Sequence, residues 1–188
     1  MPQFTLLLKE KKEIADKTMS FICEKPDGFD FKPGQFMTLA YENQPFKDDR
    51  GNRRAMSIAS SPTEPYVMFA MRIGPSAYKR SMQKAQPGTK LTGLGPFGKF
   101  IMPEDKTVPL VFLAGGIGIT PFRSMVKYAT DKKSPRDITL VYCNFYLKDM
   151  AFLTELEQWE KENPNLHLVT TLTGEEDKIE PEWPGRCG

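Results

Sequence analysis

The sequence predicts a two-domain protein: an antiparallel β-barrel with one helix, followed by a partial α/β domain of the doubly wound, Rossmann-like class. Short β-rich segments separated by turn residues fill the first half of the chain, whereas strands and helices alternate in the second half. The charge balance changes at the same place, from 16 Lys and Arg against 11 Asp and Glu in residues 1–104 to 10 against 13 in residues 105–188. We therefore predict domains over 1–104 and 105–188, joined by a linker at 103–106.

The first half contains six segments rich in β-forming residues and one segment with helical spacing of apolar residues. The predicted strands are 3–13, 18–24, 35–41, 54–59, 66–72 and 90–94, and the predicted helix is 76–84. Pro and Gly residues separate these segments, and a turn is expected at 95–98. Six short strands with regular turn signals are typical of a small closed or nearly closed antiparallel barrel.

The second half alternates between strand and helix patterns. The predicted strands are 110–114, 138–143 and 166–172, and the predicted helices are 120–130 and 149–162. This alternation implies parallel pairing with right-handed crossovers, which makes one half of a doubly wound fold. The first of these strands is a continuous apolar run, and we expect it to be buried on both faces.

The composition argues against several classes of protein. We find no apolar stretch long enough to span a membrane, no signal peptide and no long basic helix suited to nucleic acid. Cys23, Cys143 and Cys187 are far apart and odd in number, which favours neither a disulfide framework nor a metal cluster. We therefore expect no metal site and a reducing, cytoplasmic location. The only histidine, His167, is expected on the polar face of its strand.

The first candidate site is a glycine turn within the stretch VPLVFLAGGIGITPFRSMVKY. Gly115, Gly116 and Gly118 follow the apolar strand, and Thr120 and Pro121 favour a helix N-cap and a first helical position. Glycines let a phosphate approach the backbone, where free N–H groups and the helix dipole favour an anion. The GGxGxTP spacing departs from the common G-x-G-x-x-G fingerprint. By itself it fits a dinucleotide pyrophosphate site and a tight turn of another α/β protein equally well.

The second candidate site is the segment Arg54-Ala55-Met56-Ser57 in the fourth predicted strand. Because side chains alternate along a strand, Arg54 and Met56 share one face and Ser57 begins the other. Such a strand offers a cation to a phosphate, a soft surface to a ring and a hydroxyl to a ring nitrogen. Taken alone, the segment favours an ordinary interpretation, in which Met56 is a core residue and the polar side chains are solvated.

Together the two segments resemble the ferredoxin–NADP reductase superfamily, and in particular its bacterial FAD/NAD(P)-binding oxidoreductases. Five motifs carry the resemblance in the expected order: RAMSIASSP, MRIGPSAYKRSM, GPFGKF, LVFLAGGIGITPFRSM, and LVYCN followed by DMAFLTELEQWEKENPNL. They run from about residue 33 to the end of the chain and fall on both predicted domains.

The resemblance implies a flavin site on the strand that contains Ala55. Arg54 would pair with the flavin phosphate through a two-pronged, charge-assisted contact that lysine does not reproduce. Met56 would lie against the isoalloxazine ring. Ser57, the one residue assigned a catalytic role, would hydrogen-bond near N5, the flavin atom that accepts hydride.

The resemblance also assigns ligands to two helix N-termini. Ser76 and Lys79, which follow Gly74, would hold a pyrophosphate, so FAD is the expected cofactor and FMN the second choice. The glycine turn would bind the nicotinamide dinucleotide, NADH or NADPH. The electrons would then pass to a protein redox partner, iron–sulfur or similar, because the sequence contains no cysteine cluster of its own.

Two substitutions depart from the family pattern. Met56 stands where members usually have Tyr or Phe, a change worth ~1 kcal/mol that we expect flavin binding to survive. Asn144 and Phe145 stand where many members have an arginine, which favours NADH over NADPH. Lys148 or Arg123 would be able to replace that cation.

The end of the sequence is the larger departure. Family members continue past the Trp-x-Gly region, here Trp183-Pro184-Gly185, to further strands and a C-G-P-P turn. Cys187-Gly188 lacks both the preceding apolar strand and the prolines. We therefore expect a C-terminally truncated chain in which strand 110–114 becomes an edge of its sheet.

The preferred function is accordingly a flavin-dependent NAD(P)H oxidoreductase that passes electrons to a redox partner. Two alternatives remain open. The chain would be a flavin-binding or regulatory module without turnover if the incomplete nucleotide domain fails to place nicotinamide. A third interpretation is a nucleotide-binding α/β protein without flavin.

Overall fold

A computed structural model describes residues 2–174, and their first part forms a six-stranded antiparallel sheet with one helix. The elements are β1 (Gln3–Ala15), β2 (Thr18–Glu24), β3 (Phe36–Ala40), β4 (Arg53–Ser57), β5 (Tyr66–Arg72), α1 (Ala77–Lys84) and β6 (Lys90–Phe97). The strand order is β4-β3-β6-β1-β2-β5. The ends of this sheet approach each other where the Ala59 N–H donates to the Met68 carbonyl at 2.7 Å. The predicted, nearly closed barrel is therefore confirmed.

The last barrel strand is longer than predicted. β6 continues through the turn expected at 95–98 and ends at Phe97, because Phe97 pairs with Phe36 of β3. Their rings lie 5.7 Å apart, so an aromatic cross-strand contact extends the ladder. Cys23 is fully buried in the barrel core, and burial raises the pKa of its thiol to about 12, so it is a protonated core residue.

The second part of the described chain is a three-stranded parallel sheet with helices. Its strands are β7 (Leu110–Gly115), β8 (Ile138–Asn144) and β9 (Leu166–Leu172), paired in the order β7-β8-β9. Its helices are α2 (Thr120–Asp131) and α3 (Leu153–Glu162). The predicted β-α-β-α-β pattern is thus confirmed, and His167 lies exposed on β9 as expected.

The predicted start of the last helix, at residue 149, is wrong. α3 begins at Leu153, and a 3-10 turn at Leu147–Asp149 occupies the earlier positions. The reason is local: Phe152 adopts a left-handed backbone with φ of 64°, which a right-handed helix does not contain. The apolar residues of α3 nevertheless pack inward, with Leu156 and Trp159 both buried.

The prediction that β7 is buried on both faces is also wrong. Phe112 and Ala114 are buried, whereas Val111 and Leu113 are 68% and 72% exposed. Both α2 and α3 pack on the Phe112 side in one apolar cluster, and no element among residues 2–174 covers the opposite side. Within this part of the chain β7 is also the edge strand, as the sequence predicted. The predicted features at 183–185 and 187–188 lie outside the described residues.

One of the two apolar cores contains residues of both sheets, while the other lies within the barrel alone. Ala59, Met68 and Ala70 of the barrel pack in the same cluster as Ile119 and Phe122 of the second domain. The hydrophobic effect therefore holds the domains together. Because it is non-directional, it does not by itself set the angle between them.

A buried arginine lies at the centre of this junction. Arg123 of α2 is 1% exposed. Its guanidinium donates to Glu64 of the barrel, to Glu155 of α3 and to the Ala59 carbonyl. Burial raises the pKa of the Glu64 carboxyl, but the hydrogen bonds and positive charge of Arg123 outweigh burial and hold that pKa below its ordinary 4.5. The pair is therefore ionised at neutral pH. The Ser124 hydroxyl adds a bond to the Ser60 carbonyl at 2.6 Å.

We expect Leu113→Lys to reduce self-association of this chain. An exposed apolar side chain on an unpaired edge strand promotes edge-to-edge pairing, and a lysine there opposes it. Sedimentation velocity at several protein concentrations measures the association. The free energy of unfolding in urea should change by less than about 0.5 kcal/mol, because the site is exposed.

The matched control is Phe112→Lys, which places the same charge on the buried face of the same strand and should unfold the domain. Unchanged sedimentation of Leu113→Lys would show that this face does not drive association.

Candidate functional site

The first group of predicted site residues lies where β4 passes the start of α1. The Arg54 guanidinium is 5.1 Å from the centre of the Tyr78 ring. Its Nη1 donates to the carbonyls of Arg50, Gly51 and Arg53 at 3.0, 3.2 and 2.5 Å. Its Nη2 is buried without a hydrogen-bond partner. Nη1 of Arg54 thus holds the preceding loop in place. Nη2 is a buried cationic donor, which fits the anionic oxygen of a phosphate.

The rest of β4 follows the predicted alternation. Arg54 and Met56 lie on one face, and Ala55 and Ser57 lie on the other. Met56 is partly buried and packs against the barrel core, so the ordinary interpretation accounts for part of its surface. Ser57 is half-buried, and Ala55 is exposed.

The start of α1 brings together Gly74, Ser76 and Lys79. A Cβ added to Gly74 would meet the Lys79 side chain, with its Nζ at 3.8 Å, so this amine lies over Gly74. Ser76 is the N-cap residue, but its hydroxyl makes no capping bond. Instead, Asp48 accepts a hydrogen bond from the Ala77 N–H at 2.8 Å. Sequence reasoning missed Asp48 because nothing in the polar loop distinguishes it from the adjacent Asp49.

The second group surrounds the glycine turn between β7 and α2. Residues Gly116–Ile119 form a 3-10 turn, which Gly116 enters with a left-handed φ of 50°. The expectation that Thr120 caps the helix is wrong. Ile119 already has helical backbone angles, so Thr120 is the first residue of α2 and its hydroxyl donates to the Ile117 carbonyl at 3.2 Å. Pro121 follows in the first turn of α2.

This turn has the features of a backbone anion site. A Cβ added to Gly115 or Gly118 would meet no atom within 4 Å, so the backbone is approachable at both glycines. The 3-10 turn runs directly into α2, where the Thr120 N–H donates to the Ile117 carbonyl and Pro121 has no N–H, so the unpaired N–H donors expected at a helix start belong to the 3-10 turn itself. Asn144, at the end of β8, lies beside Gly116 and is 5% exposed, and its Nδ2 has no partner. These donors fit the oxygens of a dinucleotide.

The sequence pointed to position 144 only because an arginine is missing there. The buried donor of Asn144 was missed, since its burial depends on how β8 packs beneath the 3-10 turn. The expectation that Arg123 replaces the missing cation is wrong, because its guanidinium is buried and bound to two carboxylates. Lys148 remains exposed, with its Nζ 5.2 Å from the Tyr146 ring centre.

The two groups flank one domain junction. The 3-10 turn contacts β5 of the barrel, and Ile119 at its end is buried in the shared core. Among residues 2–174, no cluster of three or more His, Cys, Asp or Glu side chains is arranged to hold a metal ion. In the same part of the chain, no helix has both the length and the apolar character needed to cross a membrane.

Comparison with protein families and curated proteins supports a link to oxidoreductases. Residues 112–188 match the family described as "Oxidoreductase NAD-binding domain". The chain is 30% identical over 175 residues to the glycine betaine monooxygenase reductase subunit of Chromohalobacter salexigens, covering 92% of this chain and 46% of that protein. It is 27% identical over 169 residues to ferredoxin–NADP reductase B of Sorangium cellulosum, covering 88% and 66%. The chain spans about half the length of most of the curated relatives it matches.

Solved structures share the fold. The cytochrome P450 reductase of Amycolatopsis superposes with a TM-score of 0.81 at 23% identity, covering 98% of this chain and 56% of that one. The ferredoxin-NADP+ reductase of Plasmodium falciparum superposes with a TM-score of 0.80 at 18% identity, covering 94% and 73%.

We expect Asp48→Asn to raise the affinity of the α1 start for inorganic pyrophosphate. Asparagine is also a good capping residue, so the bond to the Ala77 N–H is kept while a negative charge is removed. The loss of about 1 kcal/mol of repulsion at this partly exposed position corresponds to about fivefold tighter binding. Isothermal titration with pyrophosphate measures the change. Asp49→Asn is the matched control, and equal affinities of the two variants would contradict the assignment.

Proposed function

We propose that the chain belongs to the ferredoxin–NADP reductase superfamily and is the flavin- and nicotinamide-binding part of an NAD(P)H oxidoreductase that passes electrons to a redox partner, as its similarity to an oxidoreductase NAD-binding domain and to two reductases supports. The observation that carries this proposal is the pair of sites with unpartnered buried donors, Arg54 Nη2 and Asn144 Nδ2, on two domains that share one core. We assign residues 1–104 to the flavin-binding domain and 105–188 to the nicotinamide-binding domain.

The flavin half uses β4 and the start of α1. Arg54 binds the flavin phosphate through its free Nη2, and Ala55 belongs to the same contact strand. The exposed part of Met56 packs on the isoalloxazine ring, and the Ser57 hydroxyl hydrogen-bonds at N5. Gly74, Ser76 and Lys79 meet a second phosphate, which favours FAD over FMN. The cation of Lys79 over Gly74 supports this choice.

The nicotinamide half uses the glycine turn. Gly115, Gly116 and Gly118 let the pyrophosphate approach the backbone, and Thr120 and Pro121 set the start of the helix that faces it. Asn144 donates its free amide hydrogen to the same ligand. Because Arg123 is bound to two carboxylates, Lys148 is the candidate cation closest in sequence to Asn144 for binding a 2′-phosphate. NADH, which lacks this phosphate, is the favoured donor.

The protein's part in the reaction is orientation. When bound, the flavin accepts a hydride from the dinucleotide and releases the electrons to the next carrier. A hydride carries its proton with its electron pair, so the transfer from the dinucleotide needs no side chain as acid or base, and the proton would leave to solvent when the electrons pass to the next carrier. The residues of this chain bind the two ligands, hold their reacting atoms close and exclude water from between them.

The names of the relatives support a protein acceptor. One relative is a reductase subunit of a monooxygenase, and one structural neighbour is a cytochrome P450 reductase. We propose a redox protein, iron–sulfur or similar, as the partner of this chain. We also propose a cytoplasmic location, where NADH is available and free thiols such as Cys23 stay reduced.

A flavin-binding module without turnover is the second candidate. The exposed Val111 and Leu113 on the edge strand β7 favour it, because β7 carries the glycine turn and has only one strand neighbour among residues 2–174.

Rapid anaerobic mixing of the flavin-loaded chain with NADH separates these two candidates. The oxidoreductase bleaches the oxidised flavin band, whereas the module without turnover keeps a stable oxidised spectrum. NADPH in place of NADH tests the predicted donor preference. A chain that takes up neither FAD nor FMN would refute both candidates.

We expect Arg54→Ala to weaken flavin retention far more than folding. A hydrogen bond to a charged group contributes about 1.5–3 kcal/mol, so the flavin dissociation constant should rise by roughly 10- to 100-fold. Fluorescence titration measures the constant, and circular dichroism checks the fold. Arg53→Ala, at the exposed neighbouring position, is the matched control. Unchanged flavin binding in Arg54→Ala would show that another residue holds the phosphate.

A further inference from the structure

We propose that Arg123 is a positioning residue that fixes the nicotinamide-binding turn relative to the flavin-binding strand. This inference rests on the proposed oxidoreductase function and names a residue that touches neither ligand. It acts through the groups it connects, which belong to both domains.

Every N–H of the Arg123 guanidinium has an acceptor. Two bonds go to Glu64, from Nη1 at 3.0 Å and Nη2 at 3.2 Å. Two go to Glu155, from Nε at 2.7 Å and Nη2 at 3.2 Å, and Nη1 also donates to the Ala59 carbonyl at 2.9 Å. A planar guanidinium that is hydrogen-bonded along two of its edges is held in a single orientation.

The faces of the guanidinium are restricted as well. Its central carbon lies 5.0 Å from the Phe152 ring centre and 5.1 Å from the Trp159 ring centre. Both aromatic side chains are buried and belong to the second domain. Arg123 is therefore rigid with respect to that domain. Its hydrogen bonds to the barrel restrict the movement of the barrel relative to the second domain.

The barrel partners of Arg123 lie directly after the flavin strand. Ala59, whose carbonyl accepts from Arg123, is two residues beyond Ser57. Glu64 also accepts from the Ser61 N–H at 2.7 Å and from the Tyr66 hydroxyl at 2.6 Å, so it fixes the loop between β4 and β5.

On the other side, Arg123 lies in the first turn of α2, three residues after Thr120. One side chain thus connects the end of the flavin strand to the start of the dinucleotide helix. The neighbouring bond from Ser124 to the Ser60 carbonyl runs between the same two segments.

This connection matters because hydride transfer is sensitive to distance. Reacting atoms have to approach to about 3–3.5 Å, and a misplacement of about 1 Å costs about 100-fold in rate. The two ligands bind to different domains, so the junction determines their separation. The shared apolar core is non-directional, whereas the five hydrogen bonds of Arg123 fix an orientation, to which the Ser124–Ser60 bond and the Arg72–Asp149 ion pair add.

The test compares Arg123→Met and Arg123→Lys with Lys127→Gln. Lys127, one turn along α2, pairs with Asp131 of the same helix at 2.6 Å, so its loss leaves the bonds from Arg123 intact. FAD affinity, the rate constant of flavin reduction at saturating NADH and the transient nicotinamide–flavin charge-transfer absorbance are measured for each variant.

We expect Arg123→Met to keep FAD affinity within about threefold, to lower the reduction rate constant about 100-fold and to lose the charge-transfer absorbance. Arg123→Lys should recover part of the rate, and Lys127→Gln should match the unmodified protein. If the Arg123 variants lose stability but reduce their bound flavin at the normal rate, Arg123 is only structural and the proposal is overturned.

Glu155→Gln covers the case in which Arg123→Met does not fold. The Glu155 side chain is 46% exposed, so this substitution removes one carboxylate without leaving a wholly buried gap. A slower flavin reduction at unchanged FAD affinity supports the proposal, and a normal rate overturns it.

Calorimetry of the flavin-free protein separates this inference from the proposed function. We expect one cooperative unfolding transition for the unmodified chain and two separate transitions for Arg123→Lys, because the domains are then less strongly coupled. A single transition in both proteins overturns the inference. Failure of the unmodified chain to bind flavin refutes the proposed function, and the calorimetric result still decides the role of Arg123.

Discussion

The structure depends on neutralising one buried charge. A guanidinium that is 1% exposed is stable only when carboxylates and carbonyls surround it, and Arg123 obtains these from both domains. Glu64 comes from the loop between β4 and β5, Glu155 from α3 and the Ala59 carbonyl from the segment just after β4. The requirement to satisfy this cation therefore restricts three segments at once. Removing Glu64 would take away the buried carboxylate that neutralises this guanidinium inside a core that the two domains share.

The candidate ligand-binding groups lie on either side of this junction, and they differ in which groups pair with the N–H donors at their helix starts. The N-terminus of α1 receives the Asp48 carboxylate, whereas that of α2 has no side-chain cap. The 3-10 turn that leads into α2, with its approachable glycines, favours an anion most directly. At α1 the anion competes with an acidic side chain, and the nearby cations Arg54 and Lys79 offset that competition. The excess of Lys and Arg in residues 1–104 agrees with this arrangement.

The sheet of the second domain shows where the described fold is open. α2 and α3 cover one face only, so Val111 and Leu113 face outward from the edge strand. This strand also carries the glycine turn at its end. The chain spans about half the length of most of the curated relatives it matches. The exposed face and the candidate dinucleotide site therefore belong to the same strand. Any strand that paired beside β7 would affect both of them.

The sequence alone determined the class of each domain and the place of every described strand to within three residues, and it singled out both candidate ligand-binding segments, because these follow from local periodicity, glycine and proline positions and helix-start residues. It did not determine which charged residues are buried. Arg123 looks like an ordinary helix cation until α2 packs against Glu64, and Asp48 looks like its neighbour Asp49 until a loop folds onto α1. Phe152 likewise breaks its helix through a backbone angle that the apolar pattern does not reveal. Tertiary structure decided these points, because pairing, capping and burial depend on segments that are distant in the chain.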